Sequence, residues 1–277
     1  MKAPLGGGLR GLLLALLVAC GTAVFLAFTL ALNGYQLTQE GTARRLLERS
    51  LAALTDIDAA VPVLQEALRE RAQQEQGATV LVPDFPLPVT VGREEAMSLE
   101  GQALRQRLVT EGARVLYRQG TSALLSDPEA RRRLESTSMP WALERGLGLM
   151  TGDTNRQLLI AAIALGILAA LMLLPPLATV SALWGRLALL GGILLVASLP
   201  SLAAALGVRF FLRAAQGDAD PFVYQLLQVG VDAMTVPVRN YLALSALGSG
   251  LLALAAAMVW AAPRRRLTAL TGEEDAA

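Results

Sequence analysis

Four long stretches of the sequence carry no charged residue, and they constrain the fold more than any other feature. They are Gly11–Gln39, Gln157–Gly185, Leu187–Val208 and Asn240–Pro263. About 20 apolar residues in a helix cross the ~30 Å hydrocarbon core of a bilayer, whereas a soluble domain seldom keeps even one such window. The sequence therefore predicts an all-α integral membrane protein in which four transmembrane helices form a bundle.

Prolines and charges between the apolar stretches set the predicted segment boundaries. Pro175-Pro176 should limit a straight second helix to about Leu174, and Arg186 should mark a tight turn, because an arginine at the bilayer centre costs roughly 2.5–3.5 kcal/mol. Pro263 should stop the fourth helix. The predicted segments are an amino terminus (1–10), transmembrane helices at 11–33, 157–180, 187–208 and 240–262, two loops (34–156 and 209–239) and a tail (263–277).

The distribution of basic residues predicts the orientation in the membrane. Short cytoplasmic segments are enriched in lysine and arginine. One side of the bundle collects Lys2, Arg10, Arg186 and Arg264–Arg266. We therefore expect a cell membrane protein with both termini in the cytoplasm and both long loops outside it.

The segment 34–156 should form a mainly helical extracytoplasmic domain inserted between transmembrane helices 1 and 2. Helical spacing predicts a helix over 42–60, an interruption at Pro62, and a second helix to about Gln76. A strand at 78–82 and a helix from about Ser98 to Gln119 follow. Capping and proline signals start two more helices near Ser126–Glu129 and Ser138–Trp141. The proline-rich stretch Val82–Val89 is either a recognition surface or a structural crossover, and the crossover fits better.

The second loop, 209–239, contains one amphipathic helix. Asp220-Pro221 supplies an N-cap and a first-turn proline. Phe222, Val223, Leu226, Val229 and Ala233 lie broadly on one side of the following helix. Such a helix is too polar to span a bilayer, so it should lie at the outer membrane surface or against the large domain.

Small residues recur every fourth position in the predicted membrane helices and are our candidates for helix packing. The candidates are Ala15, Ala19, Ala23, Ala27 and Ala31 in the first helix, and Ser245, Ser249, Ala253, Ala257 and Ala261 in the fourth. A shorter series, Ala162, Gly166 and Ala170, lies in the second. Small residues let helix backbones approach closely. The alternative is that an alanine-rich chain produces such series by chance.

The residue inventory excludes most catalytic chemistry. The chain has no histidine and one cysteine, Cys20, and its only lysine, Lys2, precedes the first apolar stretch. Histidine-based triads, histidine-ligated metals and lysine-dependent phosphate loops are therefore excluded. We predict no catalytic, cofactor-binding or metal site. The pair Asp218 and Asp220 could bind a cation, but Asp220 already has a capping role.

Two other patterns leave alternatives open. Arg131, Arg132 and Arg133 are candidates for an anion or lipid head-group site, although flanking glutamates favour a solvated helix face. Leu17-Val18-Ala19-Cys20 resembles the lipobox of bacterial lipoproteins, which would be cleaved before Cys20 and lipidated there. The apolar run continues past Cys20, which favours an uncleaved helix over a short signal sequence.

Function is constrained by class only. A net charge of +1 excludes a nucleic-acid binder. An uncharged bundle with a large loop domain favours a non-enzymatic protein whose extracytoplasmic domain interacts, senses or scaffolds, with the bilayer and another membrane or extracytoplasmic protein as partners. A transporter or permease component, which shares this helix order in outline, is the alternative, and a carboxylate-based membrane enzyme is a third class. The oligomeric state stays open.

Overall fold

The computed structural model describes residues 5–55, 57–120, 132, 145–217 and 219–271. The described part is almost entirely helical, with one small two-stranded sheet. The elements are α1 (Leu5–Thr38), α2 (Glu40–Thr55), α3 (Ile57–Gln74), β1 (Thr79–Leu81), β2 (Thr90–Gly92), α4 (Arg93–Ser98), α5 (Gly101–Gln119), α6 (Gly152–Thr179), α7 (Leu183–Ala215), α8 (Pro221–Ala233) and α9 (Thr235–Thr271).

Among the residues that the structure describes, four helical segments are long and apolar enough to cross a membrane. They cover Gly8–Thr38, Gly152–Thr179, Leu183–Ala215 and Pro221–Ala261. The fourth includes both α8 and most of α9. These spans confirm the predicted all-α membrane protein with four apolar helices.

The chain divides into two compact units. The first, which we call the bundle, comprises Met1–Asn33, Ile160–Gly207 and Thr235–Ala277. The second, which we call the loop module, comprises Gly34–Leu159 and Val208–Met234. The loop module therefore combines most of the two predicted loops, 34–156 and 209–239, with adjoining helix residues.

Two antiparallel helix contacts organise the bundle. Gly21 of α1 lies against Leu173 of α6, where an added Cβ would be 2.6 Å from Leu173 Cδ2, and Gly166 lies against the ring of Phe28. In the other contact, a Cβ at Gly191 of α7 would be 2.8 Å from the carbonyl oxygen of Gly248 of α9. Glycines at both contacts allow the close approach on which membrane helices depend.

The core of the loop module lies between α2, α3 and α5. Its fully buried side chains include Leu47, Leu51, Leu68, Leu104 and Leu108, and α2 packs mainly on α5. Gly120 ends α5 with a φ of 81°, a left-handed conformation that glycine adopts without strain. The long helix predicted up to Gln119 is thus confirmed, although it begins at Gly101.

The proline-rich stretch folds onto this core. β1 pairs antiparallel with β2, with Val80 opposite Val91, and the stretch Val82–Val89 connects the two strands. Val82, Leu87 and Val89 are buried. This burial favours the structural interpretation of the stretch over a recognition surface. The pairing at β2 was not predicted.

Prolines interrupt the helices less than the sequence analysis expected. Pro62 lies inside α3, which runs from Ile57 to Gln74, so the predicted interruption at Pro62 is wrong. Pro175 and Pro176 lie inside α6, which continues to Thr179, and α9 continues past Pro263 to Thr271. The expected end at Leu174 was wrong, because membrane helices tolerate proline where neighbouring groups satisfy the freed backbone carbonyls.

Several sequence-based predictions fall outside the described residues. They concern the two helix starts near Ser126–Glu129 and Ser138–Trp141, two of the three consecutive arginines (Arg131 and Arg133), and Asp218.

Candidate functional site in the membrane bundle

An apolar groove of about 760 Å³ runs between α1 and α7 in the bundle. Its α1 wall includes Ala15, Ala19 and Ala23, and its α7 wall includes Gly192 and Val196. Small side chains on both walls keep the groove open. Within the described residues, no group of three or more histidine, cysteine, aspartate or glutamate side chains could hold a metal ion.

The groove offers a ligand almost no polar group. Among the residues that line it, Thr22 carries the only side-chain hydroxyl. Thr22 Oγ1 donates a hydrogen bond of 2.7 Å to the carbonyl oxygen of Val18, on its own helix. The walls therefore suit an apolar occupant, because the Thr22 hydroxyl already donates its proton and no other polar side chain lines the groove.

The predicted packing residues of α1 divide between groove and contact. Ala15, Ala19 and Ala23 are exposed and line the groove, Ala27 is half-buried, and Ala31 is buried. In α9, Ser245 is buried, while Ser249, Ala253, Ala257 and Ala261 are exposed. Within this chain, most of the two series does not form the helix contacts.

The helix period explains this division. At 3.6 residues per turn, a strict four-residue series rotates about 40° at each step, so it leaves a straight contact. The buried positions of α9 up to Ala261 are instead Pro237, Tyr241, Ser245, Gly248 and Ala255, in steps of four, four, three and seven. These mixed steps follow the helix period of about 3.6 residues, so they stay on one face of the helix. Testing that period, with glycine included, would have located Gly248.

Two polar side-chain pairs cross the bundle. Asn240 Nδ2 of α9 donates to Asn33 Oδ1 of α1 at 2.6 Å, and the hydroxyls of Ser198 and Ser245 lie 2.9 Å apart. The hydroxyl of Tyr241 is buried without a hydrogen-bond partner in the described part of the chain. Of these residues, only Ser245 was a helix-packing candidate from the sequence, because tertiary structure decides which side chains pair.

In the loop module, α8 packs against α2. Phe222 packs on the module's core, and Arg49 of α2 forms an ion pair with Asp232 of α8. Gln228 Nε2 donates to Asp232 Oδ1 at 3.1 Å, and Gln228 Oε1 accepts from Gln216 at 3.1 Å. As predicted, Asp220 caps α8, accepting a hydrogen bond from the Val223 amide. Of the two predicted placements for this helix, the structure favours the one against the large domain.

A second set of hydrogen bonds joins three helix ends within the loop module. Tyr117, in the last turn of α5, donates its hydroxyl to the carbonyl oxygen of Thr38 at 3.2 Å. Asn155, in the first turn of α6, donates to the Tyr35 carbonyl at 2.9 Å and to Thr38 Oγ1 at 3.1 Å. The end of α1 is thereby held to α5 and α6.

Burial raises the pKa of Tyr117, with smaller contributions from Glu40 and Tyr35. The folded protein therefore holds the phenol proton more tightly than the unfolded chain does. The stabilisation that the protonated Tyr117 phenol gives is complete below a pH of about 10 and is lost as the pH rises through the folded pKa. We expect Tyr117→Phe to lose about 1 kcal/mol at neutral pH and to show a smaller alkaline loss of stability. Unfolding measured from about pH 7 to about pH 11 tests both effects, and an identical alkaline profile in the variant would contradict this assignment.

The arginine candidates and the lipobox gain little from the structure. Arg132 is exposed, and the structure describes no other member of that triplet. Cys20 is exposed and lies within the continuous helix α1.

Comparisons with protein families, with curated proteins and with solved structures find no match for this chain.

Proposed function

We propose that this chain is a non-enzymatic multi-pass protein of the cell membrane whose extracytoplasmic loop module serves as the interaction, sensing or scaffolding part of a membrane complex. The observation that carries the proposal is the shared core of the loop module. Phe222, in the segment Val208–Met234 of the loop module, packs on core residues that lie between the first and second spans. Two loops that build one folded body form a larger and more rigid binding surface than either alone.

The hydrogen bonds of the module support a role in transmitting or anchoring. They hold the ends of α1 and α6 through Thr38 and Asn155, and the end of α7 through Gln216 and Gln228. A partner bound to the module would therefore act on the ends of three membrane helices, whereas a module on a flexible tether would leave them unaffected.

Sidedness is tested by cysteine labelling. In a Cys20→Ser background, a cysteine at Gln73 should react with an impermeant thiol reagent on intact cells, and one at Gly272 should react only after permeabilisation, because the arginine distribution predicts a cytoplasmic tail. Labelling of both after lysis is the control. Reaction at Gly272 alone on intact cells would reverse the orientation.

The partner is tested by photo-crosslinking in cells. A photoreactive amino acid at Val63, whose side chain is 71% exposed, should capture a discrete protein that is identified by mass spectrometry. The matched control is the same amino acid at Val61, which is 6% exposed on the same helix and should capture nothing. If a scan of exposed module positions captured only lipid or nonspecific protein, the interaction role would be wrong.

A transporter or permease component remains the second candidate function. The polar pairs Asn33–Asn240, in which Asn240 is half-buried, and Ser198–Ser245, which is buried, favour it, because polar side chains inside membrane bundles often have a functional role. Isolation of the chain without a protein partner but with a bound small molecule would support this function over the first.

A further inference from the structure

We propose that the groove between α1 and α7 is a lipid site that seats one acyl chain of an anionic phospholipid, with Arg10 and Arg186 at its mouth binding the phosphate. This inference goes beyond the proposed interaction function and does not depend on it. It rests on the direction of the helices, the length of the groove and the charges at one end.

The two walls run in the same direction. The contacts of Gly21 with Leu173 and of Phe28 with Gly166 make α1 and α6 antiparallel. The short connection between Thr179 and Leu183 turns the chain back from α6 into α7. The amino-terminal ends of α1 and α7 therefore point the same way, and the groove has one amino-terminal mouth.

The groove matches one leaflet in length. The α1 wall runs from Ala15 to Leu26 and the α7 wall from Ala188 to Ala197, which correspond to about 16 and 14 Å of helix. Half of a ~30 Å hydrocarbon core is about 15 Å. The length and the apolar walls therefore favour an acyl chain from the leaflet at the mouth.

Both helices carry a positively charged residue beyond the amino-terminal end of the groove. Arg10 is exposed, little more than one turn before Ala15, and Arg186 is exposed two residues before Ala188. Arg186 Nε donates to the Val180 carbonyl at 2.7 Å, which leaves its terminal nitrogens without a hydrogen bond in the described residues. Exposed Trp184 lies at the same end, where tryptophan meets lipid head groups. Arginines beside a groove between membrane helices complement the phosphate and net charge of an anionic lipid.

The site can be tested with the full chain in nanodiscs that contain a phosphatidylglycerol with a photoreactive acyl chain. After irradiation, mass spectrometry should find the label on the groove residues of α1 and α7, and far less on Leu171 and Val259, which are exposed on other helices. Unlabelled phosphatidylglycerol should compete better than phosphatidylcholine, and inorganic phosphate should not compete. Uniform labelling of all lipid-exposed faces, or competition by phosphate alone, would overturn the site.

Two matched glycine variants test the position of the chain. A Cβ at Gly192, in the groove, and one at Gly207, elsewhere on α7, would both meet no atom within 4 Å. Gly192→Leu should abolish groove labelling and Gly207→Leu should preserve it, and equal labelling would contradict the proposal. Gly192→Ala provides a smaller change if the leucine variant does not fold.

The mouth is tested by charge. Arg10→Gln should lower the preference for phosphatidylglycerol over phosphatidylcholine about fivefold, the expected effect of one arginine near a lipid surface. Arg10→Lys should retain the preference. An unchanged preference in Arg10→Gln, or a covalent link between two copies of the chain through groove residues, would assign the groove to another occupant.

Discussion

The Gly248→Leu variant is expected to separate α7 from α9. A Cβ at Gly248 would lie 3.0 Å from the Gly191 carbonyl oxygen and 3.0 Å from Leu195 Cγ. The backbone oxygen cannot move aside as a flexible side chain can, so the two helices must part. Overpacking of this kind costs about 1–3 kcal/mol, and loss of the adjacent hydrogen bond between Ser198 and Ser245 adds to it.

A disulfide reports whether the two helices have parted. The hydroxyls of Ser198 and Ser245 lie 2.9 Å apart, so Ser198→Cys/Ser245→Cys in a Cys20→Ser background should oxidise readily. Gly248→Leu should abolish this oxidation. Gly250→Leu is the matched control, because a Cβ there would meet no atom within 4 Å, and it should leave the disulfide intact. Equal oxidation in both leucine variants would show that the helices do not depend on the glycine contact.

The membrane character of the chain could be predicted because it depends on the hydropathy summed along each helix. Hydropathy averaged over about 20 residues decides whether a helix can span a bilayer, and no tertiary contact changes that sum. The capping signals also predicted a helix start and a helix end correctly. Asp220 caps α8 and Gly120 closes α5, since each signal depends only on residues within one turn.

The helix contacts could not be predicted from composition and spacing alone. The candidates for helix packing were alanine and serine residues and Gly166, but the closest approaches use Gly21, Gly191 and Gly248. The alanines near the start of α1 line a groove instead. In an alanine-rich chain every helix face contains small residues, so the choice of face depends on which neighbour packs there.

The candidate site could not be predicted from the sequence for a related reason. The groove is a space between α1 and α7, which are separated in the chain by the whole of the large loop. Likewise, the contact of α8 with α2 joins two loops, and the sequence left two placements open for α8. Both results require knowledge of which distant segments are neighbours.

In the core of the loop module, Leu51 of α2 fills the space beside Gly112 of α5. Leu51 is fully buried, and an added Cβ at Gly112 would lie 2.5 Å from Leu51 Cδ2. Leu51→Ala should therefore cost about 2–5 kcal/mol, towards the upper end, since glycine provides no side chain to fill the cavity. Gly112→Ala alone should also destabilise, through overlap with Leu51, despite its better helix propensity.

The double variant Leu51→Ala/Gly112→Ala should lose less free energy of unfolding than the two single variants lose together. The methyl group added at Gly112 enters the space that the Leu51 side chain vacates. Hydrogen exchange of the α2 and α5 amides in the full chain measures the local stability of the module separately from that of the bundle. Val63→Ala is the surface control, since that side chain is 71% exposed. It should change the free energy of exchange by no more than about 0.5 kcal/mol. Strictly additive effects would mean that Leu51 and Gly112 are not in contact and that α2 packs on α5 by another face.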